Sequence, residues 1–202
     1  MKNNYSKKDF LRFWGKNGYV ETFDGYRFNW TEEIKKIILG YMQNQVVLEI
    51  GCGAGYWTKI LCEYSKKVYA IDLLPKSPFL SKKLHYIEND DLQFNCASVE
   101  DESIDFVFSF GTFCHMSIDA CEEYLKDIIR VLKKDGKAII MYADAEGLKK
   151  HWNDENAHGS SYFGEFINYD DIMPMVQKYD DKAKKILDIN QGFRDCLVLI
   201  NK

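Results

Sequence analysis

A doubly wound α/β domain on a mostly parallel sheet is the fold class this sequence predicts, and three observations predict it. From about residue 46 to residue 142, short apolar runs alternate with stretches of helical spacing. The runs are nearly continuous in apolar residues, which means burial on both faces, as in a parallel sheet covered by helices. Helix-length connections join them, and strand–helix–strand repetition of that kind builds an open wound sheet.

Each element follows from its residues. A helix is expected around Ser6–Lys16, then an aromatic-rich stretch, then a helix starting after Thr31, where Thr31-Glu32-Glu33-Ile34 puts acidic residues into a first turn. Val46–Ile50 is a strand that stops at glycine, and Tyr56–Tyr64 sets Trp57, Ile60, Leu61 and Tyr64 at helical spacing. Val68–Ile71 is a second strand, Leu84–Ile87 a third and weaker one, and Ile104–Phe110 the strongest. Over Asp119–Leu132 the apolar residues mark a helix, and Lys133-Lys134-Asp135-Gly136 reads as its stop, positive charge followed by glycine. Ala138–Tyr142 is the fifth strand. A long connection over about 143–183 holds a helix at Asp170–Lys178, and Ile186–Ile189 with Cys196–Ile200 flank Asn190-Gln191-Gly192 as an antiparallel hairpin that completes a seven-stranded sheet. Residues 1–44 are then a small helical and aromatic N-terminal cap. Residues 45–202 are the main domain, with a substrate-side insert at about 143–183.

Composition narrows the classes further. The 202 residues are enough for one ordinary domain with a sizeable core. With 46% hydrophobic and 15% aromatic residues the chain is not intrinsically disordered. No apolar run approaches the roughly 20 residues of a membrane span, and Met1–Phe10 is polar, unlike a secretory signal. The 27 basic and 31 acidic residues are interspersed, without the basic stripe that a nucleic-acid partner wants. Cysteines at 52, 62, 96, 114, 121 and 196 include no CxxC pair, so free thiols in a reducing cytoplasm are expected.

The chemistry starts at Glu49-Ile50-Gly51-Cys52-Gly53-Ala54-Gly55-Tyr56. Glycines here allow a sharp strand-to-helix turn and a close approach of ligand to bare backbone. A dinucleotide site wants its third glycine where Tyr56 stands, and no Gly-Lys-Ser/Thr follows for a phosphate loop.

Together with Ala70-Ile71-Asp72, Asn89-Asp90 and Arg130-Val131-Leu132-Lys133-Lys134-Asp135-Gly136, this loop resembles the class I S-adenosylmethionine-dependent methyltransferases, in family order and at family spacing. The resemblance covers about residues 44–142 plus the closing hairpin and implies a Rossmann-like fold and S-adenosylmethionine as cofactor. It implies that Gly51, Cys52, Gly53 and Gly55 pass the cofactor along their backbone. Asp72, with Leu73 beside it, then stands where a carboxylate accepts the ribose hydroxyls; the other reading of Asp72 is a strand-end turn residue. Glu49 supports the methionyl end or anchors the loop. Asp90 matches the acid that accepts from the adenine amine, with Asp91 its competitor, Leu92 placed to cover an adenine face, and Phe110 a further cofactor contact.

The acceptor of an open α/β sheet lies beyond the carboxyl ends of the strands. That rule selects Ser109-Phe110-Gly111-Thr112-Phe113-Cys114-His115-Met116 and Asp144. His115 is the candidate general base, since a neutral imidazole titrates near working pH; its other readings are a buried histidine or a cofactor contact. His151 and His158 in the insert, and Tyr19, Tyr26 and Trp30 in the aromatic N-terminus, are candidate acceptor contacts. The Asn/Asp-Pro-Pro-aromatic motif of adenine and amide N-methyltransferases is absent after the fourth strand, and a catechol-type magnesium site lacks its carboxylates, so no metal is expected. Ser103–Phe110, His115 and Asp195-Cys196 also resemble a bacterial subgroup that O-methylates sugars of surface polysaccharides, although Gly111 stands where that subgroup has an aspartate. The expectation is a cytoplasmic methyltransferase, monomer or homodimer, acting on a small polar, sugar-like hydroxyl. Its rivals are an N-methyltransferase of a small amine or protein side chain, a non-catalytic cofactor-binding partner subunit and, more distantly, an NAD-dependent oxidoreductase.

Overall fold

The computed structural model describes residues 8, 28–74, 79–89, 95–113, 116–143, 169–188 and 195–202. In chain order they form α1 (Phe28–Met42), β1 (Val46–Ile50), α2 (Tyr56–Tyr64), β2 (Lys67–Asp72), β3 (Leu84–Glu88), β4 (Ile104–Ser109), α3 (Ile118–Val131), β5 (Leu132–Ala143), α4 (Tyr169–Gln177), β6 (Lys184–Asp188) and β7 (Asp195–Asn201). The seven strands lie side by side in the order β3-β2-β1-β4-β5-β7-β6. β1 pairs in parallel with β2 and β4, β2 with β3, and β4 with β5, whereas β7 runs antiparallel to β5 and β6. The result is a Rossmann-like mixed sheet, mostly parallel, with its antiparallel strand at one end.

The continuous apolar strands bury both faces, by alternation. Leu48, Ile50, Val107, Ala138, Ile140, Val198 and Ile200 face one core with α3 and α4. Val47, Phe106, Phe108, Ile139, Met141, Leu197 and Leu199 face the other with α1 and α2. The amphipathic α3 shows how the sequence fixes this. It buries Ala120, Cys121, Tyr124, Leu125, Ile128 and Val131 on one stripe, and the Ser117 side chain caps it by accepting from the Ala120 amide at 3.3 Å. Ile34, Ile38 and Met42 of α1 are fully buried in the second core, so residues 28–42 are a covering helix of the sheet.

Three boundaries differ from the sequence expectation. α1 begins at Phe28, before Thr31, and has no acidic residue in its first turn. α3 ends at Val131, and Leu132 already pairs with Ile104 as the first residue of β5. The helix thus ends where the Lys133–Gly136 run begins, as expected, but the run itself is an irregularity inside β5, between the pairs Ile104/Leu132 and Phe106/Lys137. Asp135 turns there with φ 66°, and a Cβ on Gly136 would stand 2.8 Å from the Lys133 carbonyl. β4 ends at Ser109, so Phe110 lies just beyond the strand. The expected helix at Ser6–Lys16 falls outside the described residues, apart from Lys8.

Candidate functional site

Because β1, β2 and β4 are parallel and in near register, their carboxyl ends bring Ile50, Asp72 and Ser109 to one edge of the sheet. The glycine loop crosses that edge. Gly51, Gly53 and Gly55 have φ of 75°, 49° and 83°, a left-handed region that favours glycine. Gly55 starts α2 with no side-chain cap. The loop is fastened at its root by the Gly51 and Cys52 amides, which donate to the Ile71 carbonyl at 2.8 and 3.3 Å.

Asp72 braces the middle of the loop. One carboxylate oxygen accepts the Gly53 amide at 2.7 Å and the other accepts the Leu74 amide at 3.0 Å. Burial pushes this carboxyl above its usual range, while the amides of Gly53, Leu74 and Leu73 pull it back. Leu73 thus contributes through its backbone. Asp72 is at once a strand-end turn residue and a loop brace, and a carboxylate keeps spare lone pairs for further donors.

Glu49 lies one residue before the end of β1, only 3% exposed, and one of its oxygens has no hydrogen-bond partner. The neighbouring Thr58 hydroxyl, fully buried in the first turn of α2, makes no well-formed hydrogen bond but lies close enough to Glu49 and Cys52 to favour their charged forms. Burial pushes the Glu49 carboxyl up to about 8, opposed by Thr58 and reinforced by the charge of Asp72. Cys52 is buried, and burial with those two acids pushes its thiol up, so it offers backbone and not a reactive thiolate.

The β4 exit closes the loop from the other side. Ser109 and Thr112 donate their hydroxyls to the Ile50 carbonyl at 2.9 and 3.2 Å. A Cβ on Gly51 would lie 1.9 Å from the Thr112 hydroxyl, so packing against Thr112 and the left-handed φ each favour glycine there. Half-buried Phe110 packs 5.4 Å from Trp57, which meets Tyr56 at 5.6 Å, and stacks at 6.4 Å on Phe108. This places Phe110 at the end of an aromatic row along the α1/α2 face.

At the end of β3, the Asn89 amide donates to the Asp72 carbonyl at 2.8 Å, and its side chain donates to the Asn95 carbonyl and the Tyr124 hydroxyl at 3.1 and 3.2 Å. Tyr86 donates its hydroxyl to the Leu74 carbonyl, which holds the turn after Asp72. The sequence reading missed Thr58 and Tyr86, and it selected Ser109 and Thr112 for the acceptor edge without their role in fastening the glycine loop. The available signal was a hydroxyl in the first turn after the glycines and two more straight after the fourth strand.

Of the predicted site residues, the structure brings together Glu49, Gly51, Cys52, Gly53, Gly55, Asp72 and Leu73, with Phe110 at the neighbouring strand end. Asp90, Asp91, Leu92, His115, Tyr19, Tyr26, Asp144, His151 and His158 lie outside the described residues. Trp30 is in the first turn of α1, and its side chain is not described. Among the described residues no three acidic, histidine or cysteine side chains gather to hold a metal ion, and no helix is long and apolar enough to cross a membrane. The five described cysteines are buried and none is joined to another in a disulfide. What remains exposed to chemistry is a bare-backbone loop flanked by two buried acids, one braced and one unpartnered. That donor set fits a ligand with hydroxyls and a cationic end.

Residues 48–140 match a family described as a methyltransferase domain. An uncharacterized methyltransferase of Anoxybacillus flavithermus is 32% identical over 133 residues, 65% of this chain and 59% of that protein. The malonyl-[acyl-carrier protein] O-methyltransferase of Priestia megaterium is 26% identical over 168 residues, 75% of this chain and 58% of that protein. The chain thus spans less than two thirds of the length of either relative. The 1,6-didemethyltoxoflavin-N1-methyltransferase of Burkholderia thailandensis, solved with 1,6-didemethyltoxoflavin and S-adenosylhomocysteine bound, superposes with a TM-score of 0.66 at 16% identity, over 97% of this chain and 86% of that one.

Proposed function

We propose that this chain, which carries a class I S-adenosylmethionine-dependent methyltransferase domain with S-adenosylmethionine as its cofactor, transfers the methyl group to a hydroxyl of a small polar acceptor, a sugar or glycan precursor. The observation that carries the transferase reading is the glycine loop braced by Asp72 over the buried Glu49. S-adenosylmethionine supplies a methyl already activated on a sulfonium, so the protein's work is to bind, align and exclude water. Asp72 and the amides it orders present the ribose end, and Glu49 presents a negative charge to the methionyl end. Phe110, backed by the buried Trp57, gives the fourth-strand exit an aromatic surface, which suits stacking on a ring. A hydroxyl acceptor needs a base, and the role falls to His115.

Support for the sugar acceptor comes from the sequence resemblance over Ser103–Phe110, His115 and Asp195-Cys196. A second reading, methylation of an amine, is favoured by a relative of a different kind. The phosphoethanolamine N-methyltransferase 1 of Triticum aestivum is 30% identical over 118 residues, 54% of this chain and 23% of that protein.

The deciding experiment follows S-adenosylhomocysteine formation against a panel of nucleotide-sugars, small amines and a malonyl thioester. On a sugar acceptor His115→Ala should lower turnover by roughly 10²–10⁴ with cofactor affinity unchanged. Turnover on amines alone, insensitive to His115→Ala, would replace the hydroxyl reading with the amine reading.

A further inference from the structure

We infer that cofactor binding expels a proton from Glu49: the carboxyl is neutral in the free protein and ionises when the methionyl ammonium arrives to pair with it. The inference rests on the proposed function, since it takes the ligand to be S-adenosylmethionine or its product.

The geometry is that of a buried acid without a counter-charge. Glu49 is 3% exposed at the root of the glycine loop, with an unpartnered oxygen. The groups that face it are Thr58 and Cys62 from α2, Cys52 from the loop and Asp72 from the end of β2. Its register neighbours are Ala70 and Phe108, and α1 brings Ile34 and Ile38 to the same face. None of these is cationic, and no described lysine, arginine or histidine forms an ion pair with Glu49. An ionised carboxylate in such a place is costly unless it is paired. Its oxygen is also poorly satisfied as it stands, and Thr58 beside it shares that condition. Asp72, by contrast, has both oxygens engaged by amides and needs no arriving cation. Burial raises Glu49 to about 8, so the free protein holds this proton at neutral pH. An ammonium within hydrogen-bond reach favours the charged form, and the balance is simple: the carboxylic acid gives its proton to solvent and the carboxylate receives the ammonium as its partner.

The test is calorimetric titration of the full chain at pH 7 in two buffers of different ionisation enthalpy. One ligand is S-adenosylhomocysteine and the other is 5′-methylthioadenosine, which keeps adenine and ribose but has no amino-acid end. The result expected is the release of about one proton with S-adenosylhomocysteine and none with 5′-methylthioadenosine, and a roughly tenfold gain in S-adenosylhomocysteine affinity per pH unit from pH 6 toward 8. Glu49→Gln should abolish the release and flatten the pH profile. If that variant does not fold, the comparison of the two ligands on the native chain decides. Binding of S-adenosylhomocysteine without proton release, equal release with both ligands, or release that survives Glu49→Gln would each overturn the inference and leave the cofactor site standing. A folded, ligand-free sample that does not bind S-adenosylhomocysteine would overturn both.

Discussion

At the amino end of the sheet Asp105 and the acids around Arg130 have their partners. Asp105 accepts the Val46 amide at 2.8 Å with one oxygen and faces Lys133 at 2.7 Å with the other. Arg130 spreads its guanidinium over Asp127, Asp101 and the carbonyls of Cys96 and Val99. At the carboxyl end the same residue types, acids and glycines, are arranged differently. Three alternate loop glycines hold left-handed φ, Asp72 is engaged by backbone amides, and Glu49 keeps an oxygen with nothing to bond. One end is closed on itself and the other is built to be completed by a ligand. Unsatisfied buried polar atoms cost stability. Ser65 carries another such atom at the amino end, but Glu49 and Thr58 set two side by side at the glycine loop, where a ligand can offset that cost.

The comparison breaks hardest at Gly51. Replacing it with alanine forces a Cβ into Thr112 and strains a residue at φ 75°. Backbone strain of about 1–3 kcal/mol and overpacking of similar size should together remove a large share of a stability that is commonly 5–15 kcal/mol. Urea unfolding measures it. Adding Thr112→Gly should return the packing part and leave the strain. A loss under about 1 kcal/mol for Gly51→Ala would mean that the loop is not closed by Thr112.

Asp72→Ala comes next, and it sharpens what the brace is for. It should weaken S-adenosylhomocysteine binding more than tenfold with the fold intact, read by calorimetry and circular dichroism. The two readings of Asp72 separate with a 2′-deoxy analogue of the ligand. If the carboxylate bonds the ribose, the native protein discriminates against the analogue and the variant does not. If Asp72 only orders the Gly53 and Leu74 amides, both ligands weaken together.

How far the sequence showed all this depends on what each residue answers to. Strands β1, β2 and β4 were legible because burial on both faces writes itself as uninterrupted apolar residues. The loop, Glu49 and Asp72 were legible because their order resembles a family. The end of α3 was legible to within one residue, but the start of β5 was not. Lys133–Gly136 carries every local mark of a helix stop, yet Leu132 is already taken by Ile104 across the sheet, a long-range pairing that no local pattern encodes. What a side chain at Gly51 would meet was hidden for the same reason, since that atom belongs to Thr112, 61 residues on.

Arg130 carries the smallest expected effect and tests the closed end. Arg130–Gly136 is one of the segments through which the sequence resembles a methyltransferase. The structure puts Arg130 in a clamp. Its Nε donates to Asp127 at 2.8 Å, its Nη atoms reach the Val99 and Cys96 carbonyls at 3.0 and 2.9 Å, and Asp127 in turn accepts the Cys96 amide. Arg130→Ala leaves those carbonyls and a carboxylate without the donor they share, at a cost of about 2 kcal/mol. Lysine cannot repair this, because a single ammonium cannot reproduce the planar fork, so Arg130→Lys should recover less than half of the loss. Affinity for S-adenosylhomocysteine, measured where both variants remain folded, should stay within about twofold of the native value. A tenfold loss of affinity with stability unchanged would move Arg130 from the closed end of the sheet to the open one.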